Sequence, residues 1–106
     1  MTTSGLTPKL ALEYLEELST DIRAGVVLDH EGKTVAGDRS LGEATRDLLA
    51  ASDAQAVEVH TDDGIIYGAR SKNYGLGIVC GRFVLSALML YDLRMVLSDL
   101  EKHKHS

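Results

Sequence analysis

The chain has 106 residues, 44% of them hydrophobic and 25% charged, with a formal net charge of −5 from 11 basic and 16 acidic side chains. That is one domain's worth of sequence, enough for a single core without staples, and its composition is neither fibrous nor that of a disordered chain. The longest charge-free runs, Asn73–Gly81 and Phe83–Tyr91, are nine residues each, well short of the roughly 18 or more that cross a bilayer.

In chain order, Thr7 is placed to cap a first helix, with Pro8 at its opening position and Ala11, Leu12, Leu15 and Leu18 at helical spacing. Ser19-Thr20-Asp21 ends it. Ala24–Asp29 and Lys33–Gly37 read as a β-hairpin turned by Asp29-His30-Glu31-Gly32. Ser40 followed by Glu43 has the pattern of a capping box. The second helix it opens carries Leu41, Ala44, Leu48 and Ala51 on one face, with Glu43, Arg46 and Asp47 elsewhere around it.

Ala56–Thr61 alternates, with Val57, Val59 and Thr61 on one side and Glu58 and His60 on the other. Short turns at Asp62-Asp63-Gly64 and Lys72-Asn73-Tyr74-Gly75 link it to Ile65–Ser71 and Leu76–Cys80, a three-stranded meander. A long helix, about Phe83–Leu100, closes the fold. Glu101–Ser106 is expected to be a polar, frayed tail behind an ordered core of residues 7–100.

Ala24–Asp29 and Leu76–Cys80 are apolar on both faces, which makes them central. The fold expected is therefore α+β, a mostly antiparallel five-stranded sheet in the order 2-1-5-4-3, with helices one and three on one face and helix two on the other. Five strands about 4.8 Å apart make a face roughly 20–24 Å wide, and a helix covers about 8–10 Å of it. Helix two alone leaves about half of its face uncovered, with Val27 or Val79 open to water. The economical remedy is a homodimer, with the second helices side by side and the Ala56–Thr61 edges paired.

Charge separates along the chain: residues 1–63 hold five Lys/Arg and 13 Asp/Glu, whereas residues 64–106 hold six and three. That excess of basic residues is small and Trp is absent, so a nucleic-acid partner is not expected. The single cysteine, Cys80, rules out an internal disulfide, and Met1–Gly5 has no leader pattern, so a cytoplasmic setting is expected.

Catalytic patterns are weak. Gly75-x-Gly77-x-x-x-Gly81 has the wrong spacing for a phosphate cradle and reads as room for the packing of the last helix. Asp62-Asp63 is turn chemistry, His30, His60, His103 and His105 are scattered, and Ser71 and Ser86 lack an arguable His–acid partner. Cys80 reads as a small buried hydrophobe, Met89 and Met95 as core or dimer packing, and Tyr67 and Tyr74 as rim residues. No cofactor, metal or catalytic residue is expected.

The element order, the segment Leu15–Gly32 (LEELSTDIRAGVVLDHEG), and the closing Gly81-Arg82-Phe83…Leu90-Tyr91-Asp92-Leu93-Arg94 resemble the Roadblock (dynein light-chain) family over about residues 8–100. The resemblance implies a homodimeric, non-enzymatic platform that binds a small Ras-like GTPase or joins a larger regulatory assembly. It points only to regions: Leu41, Glu43, Ala44, Arg46, Asp47 and Leu48 of the second helix, and Val57 and Val59 of the third strand. Arg46 could stabilise phosphoryl charge in trans, but members of this family typically act without such a finger. The alternatives are a structural dimerisation or scaffold subunit, and a small-ligand sensor of profilin-like architecture.

Overall fold

Thr7 and Pro8 start the first helix as the sequence predicts. In the computed structural model, which describes residues 7–18, 21–82 and 84–104, helix α1 spans Pro8–Leu18. The Thr7 carbonyl accepts the Ala11 N–H at 2.8 Å, and its hydroxyl accepts the Leu10 N–H at 3.3 Å. Ala11, Leu12 and Leu15 are buried, but Leu18 is not, so the inward stripe is shorter than the leucine spacing suggests. Ser19 and Thr20 lie outside the described residues.

Strands β1 (Ile22–Asp29) and β2 (Thr34–Gly37) form the predicted hairpin. Its turn is closed by the Asp29 carboxylate, which accepts the N–H groups of Glu31 and Lys33 at 2.9 and 3.0 Å. Gly32 takes a φ of +83° there, a conformation that side-chain-bearing residues seldom adopt.

Helix α2 (Arg39–Ala50) crosses to the meander of β3 (Ala56–Thr61), β4 (Gly64–Arg70) and β5 (Tyr74–Cys80). All neighbouring strands are antiparallel, and the order is 2-1-5-4-3 as expected. The central strands bury residues on both faces: Val26 and Leu28 pack with Leu41 of α2, whereas Val27 joins α1 and the last helix in the larger core.

That last helix, α3, spans Ser86–Lys104 rather than the expected Phe83–Leu100. Phe83 lies outside the described residues. The C-terminal extension has a physical cause in Glu101, whose carboxylate accepts the Ser71 hydroxyl and the backbone and side-chain N–H groups of Asn73. These bonds tie the helix end to the β4–β5 turn, so the segment Glu101–Lys104 is helical and not a frayed tail. The buried stripe of α3 is Met89, Leu93, Val96, Leu97 and Leu100. Helices α1 and α3 thus cover one face of the sheet, and α2 lies on the other.

Candidate interaction surface

Helix α2 is capped by Asp38, whose carboxylate accepts the Leu41 N–H at 3.0 Å. The Ser40–Glu43 capping box is not used, because the helix already begins at Arg39. Its inward residues are Leu41, Gly42, Thr45 and Leu49, which corrects the expected Leu41/Ala44/Leu48/Ala51 face by about a quarter turn. Small residues set this rotation. Gly42 sits against Thr34, Val26 and Leu28, Thr45 lies over Gly77, and Leu49 lies over Gly68 and Gly75.

Gly75 and Gly77 of β5 therefore make room for α2, not for the last helix as the sequence suggested, and Gly68 of β4 does the same, whereas Gly81 lies against Asp21. Removing side chains from the strands brings the helix axis close to the sheet and narrows the strip that it covers. The Thr45 hydroxyl is fully buried with no hydrogen-bond partner, so this contact is one of shape alone.

Arg46 lays its stem against Gly32 in the β1–β2 turn, and its guanidinium is 3.5 Å from the Asp47 carboxylate in solvent. Ala44 and Leu48 lie about 160–200° from Arg46 around the helix and border the opposite side. Below that side, the register aligns Ala24 with Val79, Val79 with Ile66, and Ile66 with Val59. All four are only partly buried. This apolar row is the uncovered half of the α2 face, and Val79 rather than Val27 is its exposed member. Val27 is fully buried on the other side.

Ala44 is exposed and Leu48 half-buried beside the row, while Leu41 is buried beneath the helix. Glu43, Arg46 and Asp47 point into solvent. Val57 and Val59 are half-buried on β3, at the end of the sheet, where β4 is the only strand paired with it among the described residues. The surface joins an apolar strip to an unpaired strand edge, a combination that favours protein contact over chemistry.

One polar chain was not foreseen. The Tyr67 hydroxyl lies 2.7 Å from Ser86 Oγ, which is 3.1 Å from Glu58 Oε2, and the same oxygen is 2.6 Å from His60 Nε2. Tyr67 is fully buried and so is not a rim residue. The Ser86 hydroxyl donates to the Glu58 carboxylate, which stands between the serine and the imidazole, so His60 does not reach Ser86 as the base of a Ser–His pair. The Glu58 pKa is lowered by the hydrogen bond from His60, with partial burial opposing and Ser86 adding to the fall.

Burial pushes the Cys80 thiol up to about 11, helped by the nearby Asp21 charge and opposed by Arg23. Such a thiol is a poor nucleophile. His30 is exposed in its turn, and the Asp62 and Asp63 carbonyls accept Arg82 and Arg23 at 2.6 Å each. Among the described residues, no three His, Cys, Asp or Glu side chains are grouped to hold a metal. No helix among these residues is long and apolar enough to cross a membrane.

A five-stranded antiparallel sheet in this order, flanked by one helix on one face and two on the other, is the Roadblock/LC7 fold. A Roadblock/LC7 domain from Streptomyces avermitilis matches it with a TM-score of 0.81 and 13% identity, over 92% of this chain and 98% of that one. The gliding protein mglB from Thermus thermophilus matches with a TM-score of 0.72 and 14% identity over the full length of both chains. No protein-family model and no curated protein matches the sequence.

Proposed function

We propose that this chain is a non-enzymatic regulatory module that pairs with a second copy of itself and, as a homodimer, binds a small Ras-like GTPase. The observation that carries the reading is the half-exposed row Ala24–Val79–Ile66–Val59 beside Ala44 and Leu48, ending at the unpaired edge of β3. A twin placed there buries the row, sets two α2 helices side by side and joins two β3 edges into one continuous sheet. The likeness to the gliding protein of Thermus and the family resemblance of the sequence favour a regulatory role, and the cytoplasmic setting read from the sequence suits it. The paired α2 helices would then present Glu43, Arg46 and Asp47 of both copies as a polar platform.

Two measurements test this. In solution, the wild-type chain is expected at twice its 11.5 kDa mass, and Leu48→Asp at the single mass, because a carboxylate buried between two helices has no partner. An unchanged mass for the variant rejects the geometry. Purified small Ras-like GTPases from the same genome are expected to form a complex and to change their GTP turnover. A dimer with no complex at tens of micromolar would leave a structural dimerisation subunit as the function.

A further inference from the structure

On the face of the sheet covered by α1 and α3, the aligned row Val27, Leu76, Ala69 and Ala56 loses bulk toward β3. Val27 and Leu76 are fully buried in the larger core, and Ala69 is buried beside them. Ala56 and Ala69 are direct cross-strand partners, so two methyl groups stand together where larger side chains would fill the gap to the helix. Helix α3 meets them with Leu90 and Leu97 across a cavity of about 380 Å³.

That volume falls within the range of roughly 300–1,000 Å³ typical of sites for small molecules. The lining has the same character, with an apolar floor and a few polar groups at the mouth. Leu90, Arg94 and Leu97 share one flank of α3. Leu97 is buried and Leu90 half-buried, whereas Arg94 is exposed, so the flank is apolar inside and cationic at the opening. Gln55, Ser71 and Ser98 complete a rim that includes no carboxylate.

In a chain of net charge −5, such a border runs against the general trend. Arg70 also borders the cavity, but its guanidinium donates to the Ser52 and Ala54 carbonyls. Arg94 forms no ion pair among the described residues. Glu101 reaches Ser71 at the rim, and its carboxylate is taken up by that hydroxyl and by both N–H donors of Asn73. One guanidinium without a counter-charge thus stands over an apolar space.

We infer that this cavity binds a small monocarboxylate with an apolar body, an acyl chain of medium length or an aryl acid. Its carboxylate meets the planar fork of Arg94, and its hydrocarbon lies against Ala56, Ala69, Leu90 and Leu97. A cationic ligand is repelled by Arg94 and finds no acid on the rim. A neutral hydrocarbon fills the floor but leaves the guanidinium without a partner, and a multiply charged anion lacks a second free cation. All of the lining comes from one chain, on the face of the sheet opposite α2. The site therefore goes beyond the proposed dimer and its GTPase platform and does not rest on them.

The test is a ¹⁵N-resonance titration of the intact chain with sodium octanoate below its micellar concentration. Octylammonium and acetate serve as controls. Octanoate should shift the resonances of Ala56, Ala69, Leu90 and Arg94, with a dissociation constant below about 1 mM. It should bind at least tenfold more tightly than either control. Affinity should rise about fourfold for each CH₂ added between hexanoate and octanoate, the factor for burying one methylene. Arg94→Glu, at an exposed helix position, should invert the preference in favour of octylammonium while the spectrum stays folded. Ala56→Leu should occupy the floor and weaken octanoate tenfold or more. Equal binding of octanoate and octylammonium, shifts centred on α2, or an Arg94→Glu variant that keeps the wild-type preference would overturn the proposal. So would the absence of any binding in the millimolar range.

Discussion

Thr45 of α2 occupies the space above Gly77 of β5 that a side chain on the strand would need. A Cβ built on Gly77 overlaps the Thr45 hydroxyl and comes within 2.8 Å of its methyl and 2.9 Å of its own Cβ. Gly77→Ala is therefore expected to destabilise the fold by about 1–3 kcal/mol through overpacking. Thr45→Ala in the same chain should restore part of that loss, because it removes the two atoms that collide most severely. The double-mutant cycle, read from urea unfolding, should show a coupling of about 1 kcal/mol or more. Simple additivity would mean that α2 does not seat on the glycine.

The same contact explains where sequence reasoning succeeded and where it stopped. Strand order was legible because Val26, Val27 and Leu28 in β1, and Leu76, Ile78 and Val79 in β5, leave neither strand a polar face for a sheet edge. The rotation of α2 was not legible, because its inward side is built from Gly42 and Thr45, which carry little hydrophobic signal, and from shape-matched glycines on another element. Leucine spacing pointed instead to Ala44 and Leu48, the pair that borders the uncovered row. The region of the candidate surface was thus found by counting layers, even though the helix face was misread. Leu18 of α1 misled for the converse reason: it follows Ala11, Leu12 and Leu15 at helical spacing, and only its exposure separates it from them.

Glu101 gathers three donors from the β4–β5 turn, two of them on Asn73 at 2.7 Å. Glu101→Ala should cost about 2 kcal/mol, the scale of losing hydrogen bonds to a charged acceptor at a half-buried site. Glu101→Gln should cost less, since one carbonyl oxygen can still accept. Hydrogen exchange at Ser71–Asn73 and over the last turn of α3 should quicken together in the alanine variant. Loosening of the helix end alone would show that the turn is held by something else.

Cys80 is fully buried in a central strand, and its pKa of about 11 leaves little thiolate at neutral or mildly alkaline pH. Native protein should therefore react with a small disulfide reagent at pH 8 far more slowly than unfolded chain, with a rate that tracks opening of the sheet. Labelling of the native protein as fast as a free thiol would contradict the packing of β5 against β1 and β4. Cys80→Ser should destabilise, because it places a hydroxyl among apolar side chains.

The edge strand carries a group whose ionisation favours the folded state. Glu58 has its pKa lowered chiefly by the hydrogen bond to His60, against the opposing effect of burial and with a further contribution from Ser86. A carboxyl held below its unfolded value adds stability that is present at and above the ordinary carboxylate range. That stability is lost as the pH falls through the depressed folded value. Replacing His60→Ala removes the leading cause, so the Glu58 carboxyl should titrate higher in the variant, as followed by its side-chain carbon resonance. Stability curves of wild type and variant should lie apart near neutral pH and converge in acid, where Glu58 is protonated in both. Ser86→Ala should move the same resonance in the same direction by a smaller amount, since Ser86 Oγ is 3.1 Å from the carboxylate whereas His60 is 2.6 Å away. A Glu58 titration unmoved by either substitution would mean that the Tyr67–Ser86–Glu58–His60 chain does not hold in solution and that the end of β3 is positioned by its pairing with β4 alone.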